Sequence, residues 1–278
     1  MGKRGTRALT LKVNIKKFSL KSKRSQATIF IIAGLIVIGV IALFFIFKGG
    51  IPGKIGGKEE ASPEKFLFSC INDKVKDAVD LLLSQGGHIS PVIYKTFMFE
   101  DEGYYTNISY LCYTRNYYVS CINQEPMLIQ HIKEEIKDYI NEDVENCFSE
   151  LKLSLEKQGY EVTSEYNGFE VELMPRRVSV NIDGKITLTK TEETSSKENF
   201  EIAIPTRLYE LARVVQEITS QEAEYCNFEH LGYMLLNPEF NIDKFRTSDL
   251  STIYTVQHKD SEEKFRFAVR SCAIPPGI

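Results

Sequence analysis

The apolar residues of this chain follow three different rules along its length. From Ala27 to Phe47 they run uninterrupted, 21 residues without a charge, and at about 1.5 Å per helical residue such a run covers the roughly 30 Å of a bilayer's hydrocarbon core. From Pro63 to about Ser84 they recur in three- and four-residue steps (Leu67, Cys70, Ile71, Val75, Ala78, Val79, Leu82), the spacing of one buried helical face, and Gly86-Gly87 supplies the stop. Ser62-Pro63-Glu64 reads as the start of that helix, with Ser62 as cap. A longer stripe (Leu128, Ile132, Ile136, Ile140, Val144, Cys147, Leu151, Leu155) predicts a helix from Pro126 to about Gln158, and Leu208, Leu211, Ala212, Val215 and Ile218 predict a third through Glu224.

Between the helices the pattern changes to strands. Residues 88–122 are rich in aromatic and β-branched residues, broken at Glu100–Gly103 and again near Arg115-Asn116, which is hairpin composition. In 160–190, Asn167-Gly168 and Asp183-Gly184 interrupt alternating runs, and these dipeptides predict tight turns and four antiparallel strands. Alternation puts Val171 and Leu173 on one face with Glu170 and Glu172 on the other, so one side needs a helical cover. Thr191 to Asn199 reads as a polar connector, Phe200–Ile204 as a short strand, residues 226–236 as a short helical piece, and 251–258 with 263–270 as a closing hairpin. The fold class expected is therefore α+β: an N-terminal transmembrane helix, then antiparallel sheet and hairpins packed with three main amphipathic helices.

Charge gives the apolar run a direction. Residues 1–25 hold nine Lys or Arg and no acid, whereas all 38 Asp and Glu follow the run. The positive-inside rule then keeps the N-terminus cytoplasmic and exports the large domain. The expected organisation is a basic arm 1–25, a membrane helix 26–48, a Gly-rich tether 49–62 and an extracytoplasmic domain 63–278, with two lobes near 63–159 and 160–278. All six cysteines (Cys70, Cys112, Cys121, Cys147, Cys226, Cys272) fall in the exported part, which suits an oxidising compartment. Cys70 and Cys147 lie on the apolar stripes of two helices and should meet where these pack. Cys112 with Cys121 would close a hairpin, and Cys226 with Cys272 would tie the last helical piece to the closing hairpin.

Lys23-Arg24-Ser25-Gln26-Ala27-Thr28-Ile29-Phe30 resembles the class III, prepilin-type leaders of archaeal surface proteins, with basic residues and one small residue ahead of Gln and a long apolar helix. The resemblance covers some 25 residues and implies a cut between Ser25 and Gln26 and self-assembly through the apolar helix. Phe30 stands where bacterial-type pilins carry Glu, and the run 49–57, with five Gly and one Pro, breaks the helix where a pilin's continues. An uncleaved signal anchor and a prepilin-like leader are thus both open.

Candidate chemistry is sparse. The sequence holds no phosphate loop, nucleophile elbow or zinc spacing among its cysteines. Catalytic residues, metal ligands and cofactors are accordingly expected to be none. His131 with Glu134 and Glu135 reads as a solvated helical face, since no second histidine lies near it in sequence. Beyond Lys58, 38 acids face 22 Lys and Arg, an excess of 16 negative charges that disfavours nucleic acid, while the arm suits anionic lipid headgroups. Tyr94, Tyr104, Tyr105, Tyr110, Tyr113, Tyr117 and Tyr118 crowd one stretch and form the candidate binding surface, because Tyr offers large contact area at low entropy cost. The function expected is a single-pass, membrane-anchored extracytoplasmic protein that binds a protein or glycan. A pilus-like subunit is the alternative, and an exported enzyme a distant one.

Overall fold

The structure is a computed structural model that describes residues 34–38, 62–100, 103–191 and 193–274. Most of the apolar run, the basic arm, the tether and the Ser25–Gln26 bond lie outside the described residues; Gly34–Ile38 within the run is helical. Among the described residues no helix is long and apolar enough to cross a membrane.

Residues from Ala61 on form one compact α+β unit. Its elements are α1 (Pro63–Ser84), β1 (Tyr94–Met98), β2 (Tyr105–Tyr113), β3 (Ile122–Asn123), α2 (Leu128–Lys157), β4 (Glu161–Met174), β5 (Arg177–Lys190), β6 (Glu193–Pro205), α3 (Leu208–Tyr225), α4 (His230–Leu236), β7 (Phe240–Arg246), β8 (Thr252–His258) and β9 (Lys264–Arg270). The apolar stripes bury as their spacing dictates: Leu67, Ile71, Val75 and Leu82 of α1, and Ile132, Ile136, Ile140 and Val144 of α2. Ser62 differs from expectation at the start of α1, since its hydroxyl bonds the Glu64 carboxylate at 3.3 Å and caps no backbone N–H.

Two sheets share the core. A mixed sheet has the order β1-β2-β9-β8-β7, with β3 also on β2, and its one parallel pairing is β2 with β9. The second sheet, β4-β5-β6, is antiparallel. One cluster of buried residues runs from Val171, Val180 and Ile202 through α1 and α2 to Leu211 and Val215 of α3 and Tyr254 and Phe267 of the mixed sheet. The two segments near 63–159 and 160–278 therefore share a single core.

The four strands expected in 160–190 are corrected to two long ones, β4 and β5, which β6 joins as the third strand of the sheet. Asn167-Gly168 and Asp183-Gly184 make no turns. They face one another across the β4–β5 ladder, where Tyr166 pairs with Gly184 and Gly168 with Asp183 around a bulge. The reason is packing. A Cβ on Gly184 would sit 2.9 Å from the ring of Phe148 on α2, so a glycine that looks like hairpin chemistry is a seat for a core aromatic. The turns fall instead at Pro175-Arg176, where Arg176 has φ +68°, and at Thr191, φ +60°. The polar stretch 193–199, expected as a connector, is the exposed half of β6, paired with β5 from Glu198 to Glu193. Phe240–Arg246, unassigned from the sequence, adds β7 as an edge strand.

Three disulfides fasten these elements, Cys70–Cys147, Cys112–Cys121 and Cys226–Cys272, the same three pairs expected from the sequence. The first joins α1 to α2, and Lys74 to Asp143 at 3.3 Å continues the same antiparallel register. Cys112 lies opposite Asn123 in the ladder, so its bridge to Cys121 spans the base of a longer loop than the hairpin break near Arg115-Asn116 suggests.

Candidate functional site, a tyrosine-lined cleft

The face of the mixed sheet turned away from the helices carries only a small apolar cluster of its own. Ile108, Tyr110, Ile253 and Ala268 are buried there, with Phe97, Phe99 and Tyr113 packed on them. Phe97 meets Phe99 edge-on at 4.9 Å between centroids, and the Arg266 guanidinium lies 3.9 Å over the Phe99 ring. Beside this cluster the surface opens into a cleft of about 820 Å³ whose lining includes Tyr94, Lys95, Tyr110, Tyr113, Tyr117, Arg115, Asp249 and Arg270.

Each wall is held by the backbone around it. Tyr94 and Lys95 stand on β1, registered against Ser109 and Ile108 of β2. The loop 114–121 that carries Arg115 and Tyr117 is pinned to the C-terminal segment: Thr114 N–H donates to Arg270 O, Tyr118 N–H to Ala273 O and Cys272 N–H to Val119 O, at 3.1, 3.1 and 2.8 Å. The Arg270 guanidinium also donates to Thr114 O and stacks 5.3 Å from the Tyr117 centroid. Disulfides anchor both strips, Cys112–Cys121 at the root of the loop and Cys226–Cys272 at the end of α3. A loop so tied presents its aromatic rings with little ordering cost on binding.

The charges of the cleft are arranged as well. Lys95 donates to Asp249 at 2.7 Å, and Thr247 hydrogen-bonds the same carboxylate. Burial raises the Asp249 pKa, but these donors and the Lys95 charge outweigh it and hold the carboxyl at about 2. Burial pushes the Tyr110 hydroxyl above its usual range, partly offset by its 2.8 Å hydrogen bond with Ser251. Lys95, Arg115 and Arg270 against Asp249 leave the lining net positive, on a chain that is net negative.

Of the seven tyrosines singled out from the sequence, the fold brings Tyr94, Tyr110, Tyr113 and Tyr117 to this cleft. Tyr110 is buried, whereas Tyr94 and Tyr117 are 47% and 48% exposed. Tyr104 and Tyr105 line a separate depression with Asp77, Asp80 and Arg266, and Tyr118 is exposed outside both. Sequence reasoning missed Lys95, Asp249 and Arg270, which come from β1, the β7–β8 loop and the end of β9 and share no local pattern.

It also missed a second grouping. His88, Glu125 and His131 place one ligand-capable atom each within 4.8 Å of one another. Reading His131 against its neighbours in sequence hid this, yet the Cys70–Cys147 bridge offered a signal. His88 lies about as far beyond Cys70 as His131 lies before Cys147, so an antiparallel helix pair pinned at the bridge brings the two histidines to the same end. Among known protein families, curated proteins and solved structures, none matches this chain.

Proposed function

We propose that the chain is a single-pass surface protein whose extracytoplasmic domain binds an anionic glycan through the tyrosine cleft. The observation that carries this reading is the cleft itself, in which aromatic rings and fixed cations converge on a solvent-facing sheet surface. Tyrosine faces carry negative π-clouds that attract the C–H faces of a sugar ring, the phenol and guanidinium groups satisfy its hydroxyls, and the local positive charge favours carboxylated or sulfated sugars. The cleft is open and mixed in polarity, which suits a chain of sugars lying across it better than a small apolar ligand sealed from water.

The anchor and orientation rest on the sequence: 21 uncharged residues preceded by nine cations and no acid. Three disulfides in the folded unit support an oxidising compartment. Protease added to intact cells should remove the chain beyond about residue 50 and spare the arm, and full-length protein in lipid nanodiscs should bind oligosaccharides of uronic acids and not their neutral counterparts. Protection of the domain in intact cells would refute the orientation, and equal binding of neutral and acidic sugars would refute the role of the cations.

A second reading, a pilus-like subunit, has one specific observation behind it, the Lys23-Arg24-Ser25-Gln26 junction ahead of the apolar run. N-terminal sequencing of protein from its own cells separates the two. A start at Met1 keeps the nine cations that hold the helix in the membrane; each would cost at least ~2.5–3.5 kcal/mol to draw into the bilayer centre. A start at Gln26 favours the subunit.

A further inference from the structure

We propose that His88, His131 and Glu125 bind a zinc-class divalent metal ion, with Glu135 as the carboxylate that orients His131. This site lies at the junction of α1 and α2 and is independent of the cleft and of the glycan reading.

The chain builds the site from two ends. After α1, Gly86 and Gly87 take positive φ values of 72° and 82°. A Cβ on Gly87 would stand 3.0 Å from the Leu128 side chain and 3.5 Å from Ile132, so only glycine lets the backbone lie this close to the first turn of α2. That approach sets His88 beside His131, with ring centroids 4.4 Å apart. Glu125 enters just ahead of α2, its backbone N–H held by the Asn123 side chain at 3.0 Å.

The hydrogen bonds around these groups point inward. His88 Nδ1 faces Gly86 O at 3.1 Å, a contact that only Nδ1–H can make, and it leaves Nε2 directed at Glu125 Oε1, 3.3 Å away. The other carboxylate oxygen of Glu125 is 3.8 Å from His131 Nδ1. Ligands about 2.0–2.1 Å from a tetrahedral zinc are about 3.3 Å from each other, so His88 and Glu125 already stand at ligand spacing and His131 needs a small rotation. On the far side, His131 Nε2 is buried without a hydrogen-bond partner and lies 3.6 Å from Glu135 Oε1. Glu135 is fixed in turn by the Ile89 N–H, which donates to its second oxygen at 2.9 Å. A backbone carbonyl behind one imidazole and a carboxylate behind the other is the arrangement that orients metal-bound histidines and raises their basicity.

Two imidazoles and one carboxylate suit zinc and leave the fourth position for water.

The test uses the full chain in detergent, disulfides intact, free of any histidine tag, stripped with EDTA and dialysed. Titration with zinc chloride should give one saturable site per chain and a raised melting temperature, and X-ray absorption should count two imidazoles at the metal. His88→Gln and His131→Gln should each weaken binding at least tenfold, and Glu135→Gln by roughly 10- to 100-fold. His230→Gln, in α4, should change nothing. Absence of saturable uptake, or uptake undiminished in both His88→Gln and His131→Gln, would overturn the site. Should those variants fail to fold, the imidazole count on the unaltered chain decides, and fewer than two refutes the proposal.

Discussion

The two faces of the mixed sheet are built from the same strands yet for different ends. The inner face buries Tyr254, Val256, Phe265, Phe267 and Val269 against the helices, all at most 1% exposed, with Tyr254 stacked on Phe267 at 5.2 Å. The outer face covers itself with only a small cluster and leaves Tyr94 and Tyr117 half in water. Aromatic residues on the first face stabilise the fold by close packing, whereas Tyr94 and Tyr117 on the second bury only about half their surface and add less to it. Large rings held in place on a solvent-facing surface are what the proposed binding role calls for.

The largest break in that comparison should come from the core staples. Cys70→Ala with Cys147→Ala frees a loop of 77 residues, for which the chain-entropy relation gives about 4.5 kcal/mol, against about 2.6 for the 9-residue separation of Cys112–Cys121. Urea unfolding of the two double variants should keep this order. Phe267→Ala, on the inner face, should cost about 3–5 kcal/mol through lost burial and the cavity left behind. Gly184→Ala should cost about 1–3 kcal/mol, because the new methyl meets both the Phe148 ring and the Glu165 carbonyl; an unchanged midpoint would show that the β5 bulge yields freely.

That glycine marks where the sequence misleads. Asn167-Gly168 and Asp183-Gly184 carry the local chemistry of hairpin turns, and nothing nearby in sequence reveals that Phe148 claims the space. The helices were legible because their signal is periodic and their faces are wide, and the disulfides because Cys70 and Cys147 ride on those faces. β7 was not, since Phe240–Arg246 alternates only weakly, with just Phe240 and Ile242 buried. Of the cleft, the tyrosines were legible by their density. Lys95, Asp249 and Arg270 were not, because each stands on a different strand or loop and only the parallel β2–β9 pairing and its neighbours draw them together. Sequence neighbours likewise hid the His88–His131 pair, which depends on the register of two helices.

The smallest effect is expected from acid. Folding holds the Asp249 carboxyl at about 2 from an ordinary 3.8, so the group contributes stability that is fully present above 3.8 and is lost as pH falls through 2. The carboxylate is 47% exposed in its pair with Lys95, so solvent screening limits the contribution to less than about 1 kcal/mol. Comparing Asp249→Asn with the unaltered chain across that window should show a difference that vanishes at its acid end.

The central claim, that the outer face binds and the inner face holds, meets its most direct test in Tyr117→Ala measured twice on the full chain. Tyr117 contributes to the fold through its backbone bridge to Ala273, which alanine retains, and through the half-exposed contact of its ring with Arg270, which alanine removes. Thermal unfolding should therefore change by no more than about 1 kcal/mol, while affinity for an acidic oligosaccharide should fall at least tenfold. Loss of stability with unchanged affinity would contradict the account, and would make the tyrosine face part of the scaffold.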